Sequence, residues 1–248
     1  MLFLLPIGRR PEEGSAPAPA DGASGGPTTV KEIGDAGWRI LIPGRHAIAA
    51  PLLLDVNVLV YLVMVICGVD FLSPRTIDLL GWGAVQRDAL MAGGWWRLLT
   101  YPFLHAGLVH LVMNGVLLLM AGLLLEATAG WRWTLATYLL GGVAGGLASA
   151  AWGLAPSVGA SGAVLALVGT LLVISYTRFG HGRSIGGWAI GLGLVNVIAG
   201  LKARVDGAAH VGGLAAGMIG GGLLYLRCSR LGPRTSPPHP SPANDQEG

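Results

Sequence analysis

The chain has 248 residues, of which 52% are hydrophobic and only 12% are charged. Soluble domains carry roughly 25% charged residues, so the composition excludes an ordinary soluble protein and indicates an integral membrane protein. The net charge of +3 comes from Lys and Arg residues scattered over short loops, which argues against a nucleic-acid partner. Two cysteines without a CxxC motif or a Cys/His cluster predict neither a disulfide framework nor a metal site.

Residues 1–50 precede the apolar part of the chain and are expected to form a cytoplasmic N-terminal segment. The apolar run at 1–5 is too short for a signal peptide, and its basic pair follows the run where a signal peptide would place it first. Residues 11–30 are rich in Pro, Gly, Ala and Ser, which is typical of a flexible linker.

Six apolar segments follow, each close to the roughly 20 residues that cross a bilayer. They lie at about 52–72, 104–125, 133–153, 161–177, 185–201 and 209–226. These segments predict an all-α fold, a polytopic membrane bundle of six transmembrane helices over residues 51–227. A disordered cytoplasmic tail is expected at 228–248, and the tryptophan-bearing connection at 73–103 is expected to lie at the membrane interface.

The distribution of Lys and Arg predicts the orientation, because cytoplasmic loops carry the excess of positive charge. The larger group lies on the side of the N-terminus: Arg9, Arg10, Lys31, Arg39, Arg45, Arg132, Arg178, Arg183, Arg227, Arg230 and Arg234. The smaller group lies on the other side: Arg75, Arg87, Arg97, Lys202 and Arg204. The protein is therefore expected in the inner cell membrane with both termini in the cytoplasm.

Polar residues enter the membrane from the outer face at the starts of the second, fourth and sixth segments. The second brings His105, His110 and Asn114, and the last two share one helical face because they are four residues apart. Ser161 begins the fourth segment, and His210 lies at the start of the sixth. Polar groups at membrane depth are costly and usually mark a functional site.

A serine and a histidine at one depth can perform nucleophilic acyl transfer, with Ser161 as nucleophile and His210 as its base. His110 and Asn114 can donate hydrogen bonds to an oxyanion, and Gly159 leaves room for a substrate backbone. Each residue also has an ordinary structural role, since membrane serines bond to their own helix and polar residues join helices. The convergence of these residues from three segments favours a hydrolase.

Glycines recur every four residues in the sixth segment, at Gly213, Gly217 and Gly221, which predicts close packing against another helix. The fifth segment is also rich in glycine and is expected to be loosely packed, so that it can act as a lateral gate. Its glycines are Gly186, Gly187, Gly191 and Gly193.

The order and spacing of these motifs resemble the bacterial-type rhomboid family of intramembrane serine proteases over about residues 51–227. The resemblance rests on four motifs: Trp95-Trp96-Arg97 with Leu98-Leu99-Thr100, His105…His110…Asn114, Gly159-Ala160-Ser161-Gly162-Ala163, and residues 205–213 with Gly217. It implies a six-helix core, a Ser–His dyad that forms an acyl-enzyme, and cleavage of transmembrane protein substrates near the extracytoplasmic face.

Carried over by position, the resemblance makes Ser161 the nucleophile and His210 the general base and then the acid. It places His110 and Asn114 at the oxyanion hole, with Gly159 beside the substrate. Trp96 and Arg97 would belong to an interfacial loop motif, and Gly213 and Gly217 would pack the sixth helix on the fourth. No cofactor is implied, the lipid bilayer is the other partner, and the oligomeric state stays open.

Two residues near the dyad need separate comment: Leu165 differs from many relatives, and Asp206 could suggest a third catalytic residue. Many relatives have an aromatic residue four positions after the nucleophile, where this chain has Leu165, which offers no stacking face for His210. Asp206, four residues before His210, is expected to cap a loop rather than to complete a catalytic triad.

Two other functions fit parts of the pattern. A non-catalytic relative that binds or escorts membrane helices would share the fold, but such relatives typically lack a dyad residue that this chain retains. A small transporter or channel would be expected to show inverted repeats with broken helices, which are not evident in the sequence. An intramembrane serine endopeptidase is therefore the favoured function.

Overall fold

A computed structural model describes residues 47–152, 155–179 and 206–230, together with Gly44 and Gly191. These residues form eight α-helices and a 3₁₀ turn, and their β-pairing is confined to an isolated bridge between Val85 and Ser157. The helices are α1 (Ala49–Ile66), α2 (Thr76–Trp82), α3 (Arg87–Met91), α4 (Arg97–Thr100), α5 (Leu108–Ala129), α6 (Trp131–Trp152), α7 (Ser161–Phe179) and α8 (Gly207–Arg230). The 3₁₀ turn, Tyr101–Phe103, lies between α4 and α5.

The helices α1, α5 and α6 are long and apolar enough to cross a membrane, as is the Gly207–Arg227 part of α8. The apolar part of α7, Ser161–Thr177, is shorter. The predicted all-α, polytopic membrane fold is thereby confirmed. The predicted fifth segment at 185–201 lies outside the described residues except for Gly191, so the gate predicted there stays a prediction.

The observed helix boundaries differ from the predicted ones where glycine interrupts the helical backbone. The first span ends at Ile66 instead of residue 72, because Gly68 two positions later has φ +91°. The second begins at Leu108 instead of residue 104, since Gly107 has φ +109° and packs against the carbonyl of Leu72. His105 therefore lies before α5 and not in its first turn.

The helix α7 occupies the centre of the described bundle, where α5, α6 and α8 pack around it. Every residue from 162 to 171 is buried. Gly213 and Gly217 of α8 pack directly on the α7 carbonyls of Gly162 and Ala166, where any side chain would overlap them. Thr170 adds a hydrogen bond from its hydroxyl to the Gly217 carbonyl oxygen (2.8 Å).

Glu126, near the end of α5, caps the start of α1. Its carboxylate oxygens accept hydrogen bonds from the backbone N–H groups of Ile48 (2.6 Å), Ala49 (3.1 Å) and Ala50 (3.0 Å). The first N–H groups of a helix have no partner within the helix, and hydrocarbon offers them none. The negative charge also suits the positive end of the helix dipole, so Glu126 fixes α1 against α5.

Candidate active site

Ser161 and His210 lie beside each other at one end of the bundle. Ser161 is the first residue of α7, and His210 lies in the first turn of α8. The Nε2 atom of His210 is 2.8 Å from the Oγ atom of Ser161, and His210 is only 7% exposed. This separation is within the reach that proton transfer between a nucleophile and its base requires.

The loop before α7 is held in place from two sides, which fixes where Ser161 begins the helix. Ser157 exchanges both backbone hydrogen bonds with Val85 of the 73–103 connection (3.0 and 2.8 Å). Gly159 has φ +118° and donates its N–H to the carbonyl oxygen of Tyr101 (3.0 Å). The turn at Gly159 then directs Ser161 into the N-terminus of α7, where backbone N–H groups are available to an anion.

Asp206 caps the helix that carries His210. Its Oδ1 atom accepts hydrogen bonds from the N–H groups of Ala208 and Ala209, both at 3.1 Å. Its own carbonyl oxygen accepts the N–H of His210 (3.2 Å). The carboxylate therefore satisfies backbone donors of α8 as an N-cap, which agrees with the expected capping role.

His110 lies against the turn at Gly159. A methyl group added at Gly159 would be 2.7 Å from Cε1 and 2.9 Å from Nε2 of the His110 ring. The Nδ1 atom of His110 accepts a hydrogen bond from the N–H of Ala106 (3.2 Å). A neutral imidazole that accepts at Nδ1 carries its proton on Nε2, so the N–H group of His110 lies on the side of Gly159 in the loop before α7.

Asn114 lies one turn after His110 and is 5% exposed. Its side-chain Nδ2 donates to the backbone carbonyl oxygen of His110 (2.9 Å). An amide nitrogen carries two N–H groups, so Asn114 keeps a second donor while it makes this bond within α5. The four-residue spacing predicts that Asn114 shares a helical face with His110, and the structure adds the bond between them.

The side chain of His105 packs against that of His110. It is fully buried, and its ring meets the His110 ring edge-on with centroids 5.2 Å apart. Burial, with a smaller contribution from His110, lowers the pKa of His105 to about 3. His105 is therefore neutral at physiological pH.

Trp96, Arg97 and Leu165, which the sequence also singled out, make contacts within the fold. Arg97 donates from Nη1 to the carbonyl oxygens of Leu80 (2.6 Å) and Ala84 (3.0 Å), and its guanidinium lies 4.7 Å from the ring centroid of the half-exposed Trp96. These contacts join α4 to the region of α2. Leu165 is buried in the apolar core around α7. In the described part of the chain, no three His, Cys, Asp or Glu side chains come together as metal ligands would.

Comparison with known sequences identifies the family of the chain. The Rhomboid domain family matches residues 92–227, which is more than half of the chain and includes both Ser161 and His210. The chain belongs to the rhomboid family. It is therefore a multi-pass membrane protein of a family that includes intramembrane proteases.

Three relatives illustrate the extent of the match. The Rhomboid protease GluP of Bacillus subtilis is 35% identical over 156 residues, which cover 62% of this chain and 31% of the relative. RHOMBOID-like protein 5 of Arabidopsis thaliana is 34% identical over 162 residues, covering 63% and 52%. Rhomboid-like protease 2 of Toxoplasma gondii is 30% identical over 191 residues, covering 73% and 67%. The chain thus spans about half or less of the first two relatives.

Proposed function

We propose that this rhomboid protein is an intramembrane serine endopeptidase that cleaves transmembrane segments of other membrane proteins. The observation that carries this proposal is the 2.8 Å approach of Ser161 Oγ to His210 Nε2 between two apolar helices. Relatives from Bacillus subtilis and Toxoplasma gondii that are named proteases support the reaction class. Polar pairs at this depth are costly unless they serve a function.

In the first half of the reaction, His210 Nε2 takes the proton of Ser161 Oγ while this oxygen attacks the scissile carbonyl carbon. The new C–O bond gives a tetrahedral intermediate whose oxygen carries the negative charge. His210 then returns the proton to the amide nitrogen, the C–N bond breaks and the amine product leaves. The other half of the substrate stays on Ser161 as an ester.

In the second half, a water molecule replaces the amine and His210 removes its proton. The resulting hydroxide attacks the ester carbon, and the second tetrahedral intermediate collapses to a carboxylic acid. The proton on His210 returns to Ser161 Oγ, which restores the starting state. Asp206 is assigned no part in these transfers, because its Oδ1 atom caps the backbone of α8 and its Oδ2 atom makes no hydrogen bond among the described residues.

We assign three kinds of donor to the oxyanion. The backbone N–H of Ser161 lies at the positive end of α7. The Nε2–H group of His110 faces the turn at Gly159, two residues before the nucleophile. The Nδ2 atom of Asn114 supplies its second N–H, the one not bonded to the His110 carbonyl oxygen. Such donors commonly contribute the largest part of acyl-transfer catalysis.

The distribution of charge supports an orientation of the protein in the membrane, and the helical state of the substrate limits where it can be cleaved. The excess of Lys and Arg on the side of the N-terminus supports cytoplasmic termini in an inner cell membrane, with Ser161 near the extracytoplasmic face. A helical substrate hides its carbonyl groups in hydrogen bonds, so it must unwind locally before attack. Substrates with Gly or Pro near that face are therefore expected.

The test is cleavage of a single-pass model substrate with a Gly-rich outer boundary, reconstituted in lipid with the protein. Ser161→Ala and His210→Ala should each lower the cleavage rate by about 10⁴-fold or more. Ser175→Ala, a buried serine on the same helix, should cleave at the wild-type rate and is the matched control. Cleavage retained in Ser161→Ala would contradict the proposal.

A further inference from the structure

Tyr101 lies outside the four motifs that the sequence singles out, yet it touches every element that carries the dyad. It belongs to the 3₁₀ turn after α4 and is 1% exposed. Its hydroxyl donates a hydrogen bond to the carbonyl oxygen of Gly142 in α6 (2.6 Å). The sequence gives no sign of this bond, because it joins residues far apart in the chain.

The hydroxyl of Tyr101 lies where α6, α7 and α8 meet. A methyl group added at Gly145 of α6 would be 2.9 Å from this hydroxyl and 2.9 Å from the carbonyl oxygen of Ala209 in α8. A methyl group at Gly162 of α7 would be 3.5 Å from the same hydroxyl and 3.1 Å from the same carbonyl. Gly162 follows Ser161 directly, and Ala209 directly precedes His210.

The backbone of the same residue holds the loop before the nucleophile. The carbonyl oxygen of Tyr101 accepts the N–H of Gly159 at 3.0 Å. The next residue in the turn is fixed as well, since the Tyr138 hydroxyl donates to the Pro102 carbonyl oxygen at 3.3 Å. The turn is therefore bonded to α6 through two tyrosines and to the nucleophile loop through one carbonyl.

The bond from Tyr101 to Gly142 persists over the accessible pH range. Burial raises the pKa of the Tyr101 phenol far above its ordinary value, and the charge of Asp206 raises it further. The phenol stays protonated and keeps donating. A satisfied buried hydrogen bond of this kind adds rigidity to the turn that carries the Tyr101 carbonyl.

We infer that Tyr101 is a positioning residue for the Ser161–His210 pair, a role whose catalytic consequence rests on the protease function proposed above. Its hydroxyl sets the spacing of the three helices at their meeting point, and its carbonyl sets the turn at Gly159. Without the hydroxyl, the turn loses one of its two tyrosine bonds to α6 and shifts more easily, so the acceptor of the Gly159 N–H is held less firmly. Ser161 Oγ then departs from the separation that proton transfer to His210 requires.

The test compares Tyr101→Phe with Tyr61→Phe in the full chain in lipid. Tyr61 is a matched control, because it is 2% exposed and its hydroxyl also donates to a backbone carbonyl, that of Phe71, which is not part of the nucleophile loop. Two quantities are measured: amide hydrogen exchange across residues 157–163, and the kcat and KM for a transmembrane substrate.

In Tyr101→Phe, the amide hydrogen of Gly159 should exchange about tenfold faster than in wild type, because the loop before α7 opens more easily. Its kcat should fall by about 10 to 100-fold while KM stays within about twofold, since a small misplacement of reacting groups slows the chemical step. Tyr61→Phe should leave both the exchange of Gly159 and kcat at wild-type values. Gly145→Ala, whose methyl group would crowd the same hydroxyl, should reproduce the Tyr101→Phe pattern.

Equal Gly159 exchange in Tyr101→Phe, Gly145→Ala and wild type would overturn the positioning role. So would an equal loss of kcat in Tyr61→Phe, because the effect would then reflect general destabilisation. The exchange measurement needs no catalysis, so it decides the role of Tyr101 even if wild type cleaves no substrate. A wild type that cleaves no transmembrane substrate would contradict the protease function and not the role of Tyr101.

Discussion

At the scale of single residues, Gly159 joins an unusual backbone conformation to the geometry of the site. Its φ of +118° is strained for any residue with a Cβ, and a methyl group there would enter the His110 ring. Gly159→Ala should therefore displace His110 or the turn before Ser161. We expect the cleavage rate to fall by about a hundredfold, as for other small displacements of reacting groups.

The control for this variant is Gly130→Ala, which has a comparable φ of +86° but no atoms within 4 Å of an added methyl group. It carries the same kind of backbone strain between α5 and α6. Cleavage by Gly130→Ala should stay near the wild-type rate when both are measured well below their unfolding temperatures. Equal losses in the two variants would mean that strain, and not the contact with His110, limits the rate.

His105 predicts a pH dependence of stability. Its pKa is about 3 in the folded protein, whereas an unfolded imidazole binds a proton below about pH 6.5. The unfolded state then binds more protons, so the free energy of unfolding falls as the pH drops below 6.5. This residue contributes at most about 1.4 kcal/mol per pH unit to that slope.

The measurement is the unfolding free energy of wild type and His105→Leu in detergent micelles, followed from about pH 7 to about pH 5. Leucine cannot bind a proton, so the variant should lose stability less steeply as the pH falls. Its absolute stability does not matter for this comparison. Parallel pH profiles would show that His105 is protonated in the folded state as readily as in the unfolded one.

The sequence supplied the residue types of the site but not their bonds. The positions of Ser161, His210 and His110 near the starts of apolar segments were enough to predict that they lie at the same end of the bundle. The contact between Tyr101 and the helix junction depends on tertiary packing, and it produces no local pattern because its partners lie far apart in the chain. The bond from Asn114 to His110 is local, and the four-residue spacing of the two residues is compatible with it.

At the scale of elements, the α7–α8 contact explains why glycine recurs along α8. Gly217 packs on the carbonyl of Ala166, so Gly217→Ala should separate the two helices and lower the free energy of unfolding by about 2 kcal/mol or more. Gly222→Ala on the same helix adds a methyl group with no atoms within 4 Å and should be neutral or slightly stabilising. Unfolding in lipid micelles measures both.

Equal damage in Gly222→Ala and Gly217→Ala would contradict this explanation, because close packing on α7 would then not distinguish the two positions. The stripe itself was predictable from the sequence, because its period of four residues is local. The partner carbonyls on α7 were not. The same limit applies to Glu126, whose partners at the start of α1 lie far away in sequence.

At the scale of the whole molecule, hydropathy predicted the class of fold, and the structure and the family match confirm it. Helix boundaries were less accurate, because glycines such as Gly68 and Gly107 end or delay helices inside apolar sequence. Apolar composition reports membrane depth, whereas backbone conformation decides where a helix stops. The orientation in the membrane depends on charge counts alone and stays a prediction.

The free Cys67, exposed just after α1, allows that orientation to be tested. In a Cys228→Ser variant, a membrane-impermeant maleimide added to intact cells should label Cys67, because the end of α1 should face outward. In Cys67→Ser, the remaining Cys228 should react only after the membrane is permeabilised. The reverse pattern would place the dyad at the cytoplasmic face.

The central claim is that His210 activates Ser161 inside the membrane. The most direct measurement is labelling of the lipid-embedded protein with a serine-reactive fluorophosphonate, followed by mass mapping of the adduct. Wild type should give an adduct on Ser161, and labelling of His210→Ala should be slower by about a thousandfold or more. An adduct absent from Ser161, or formed equally fast in His210→Ala, would contradict this claim.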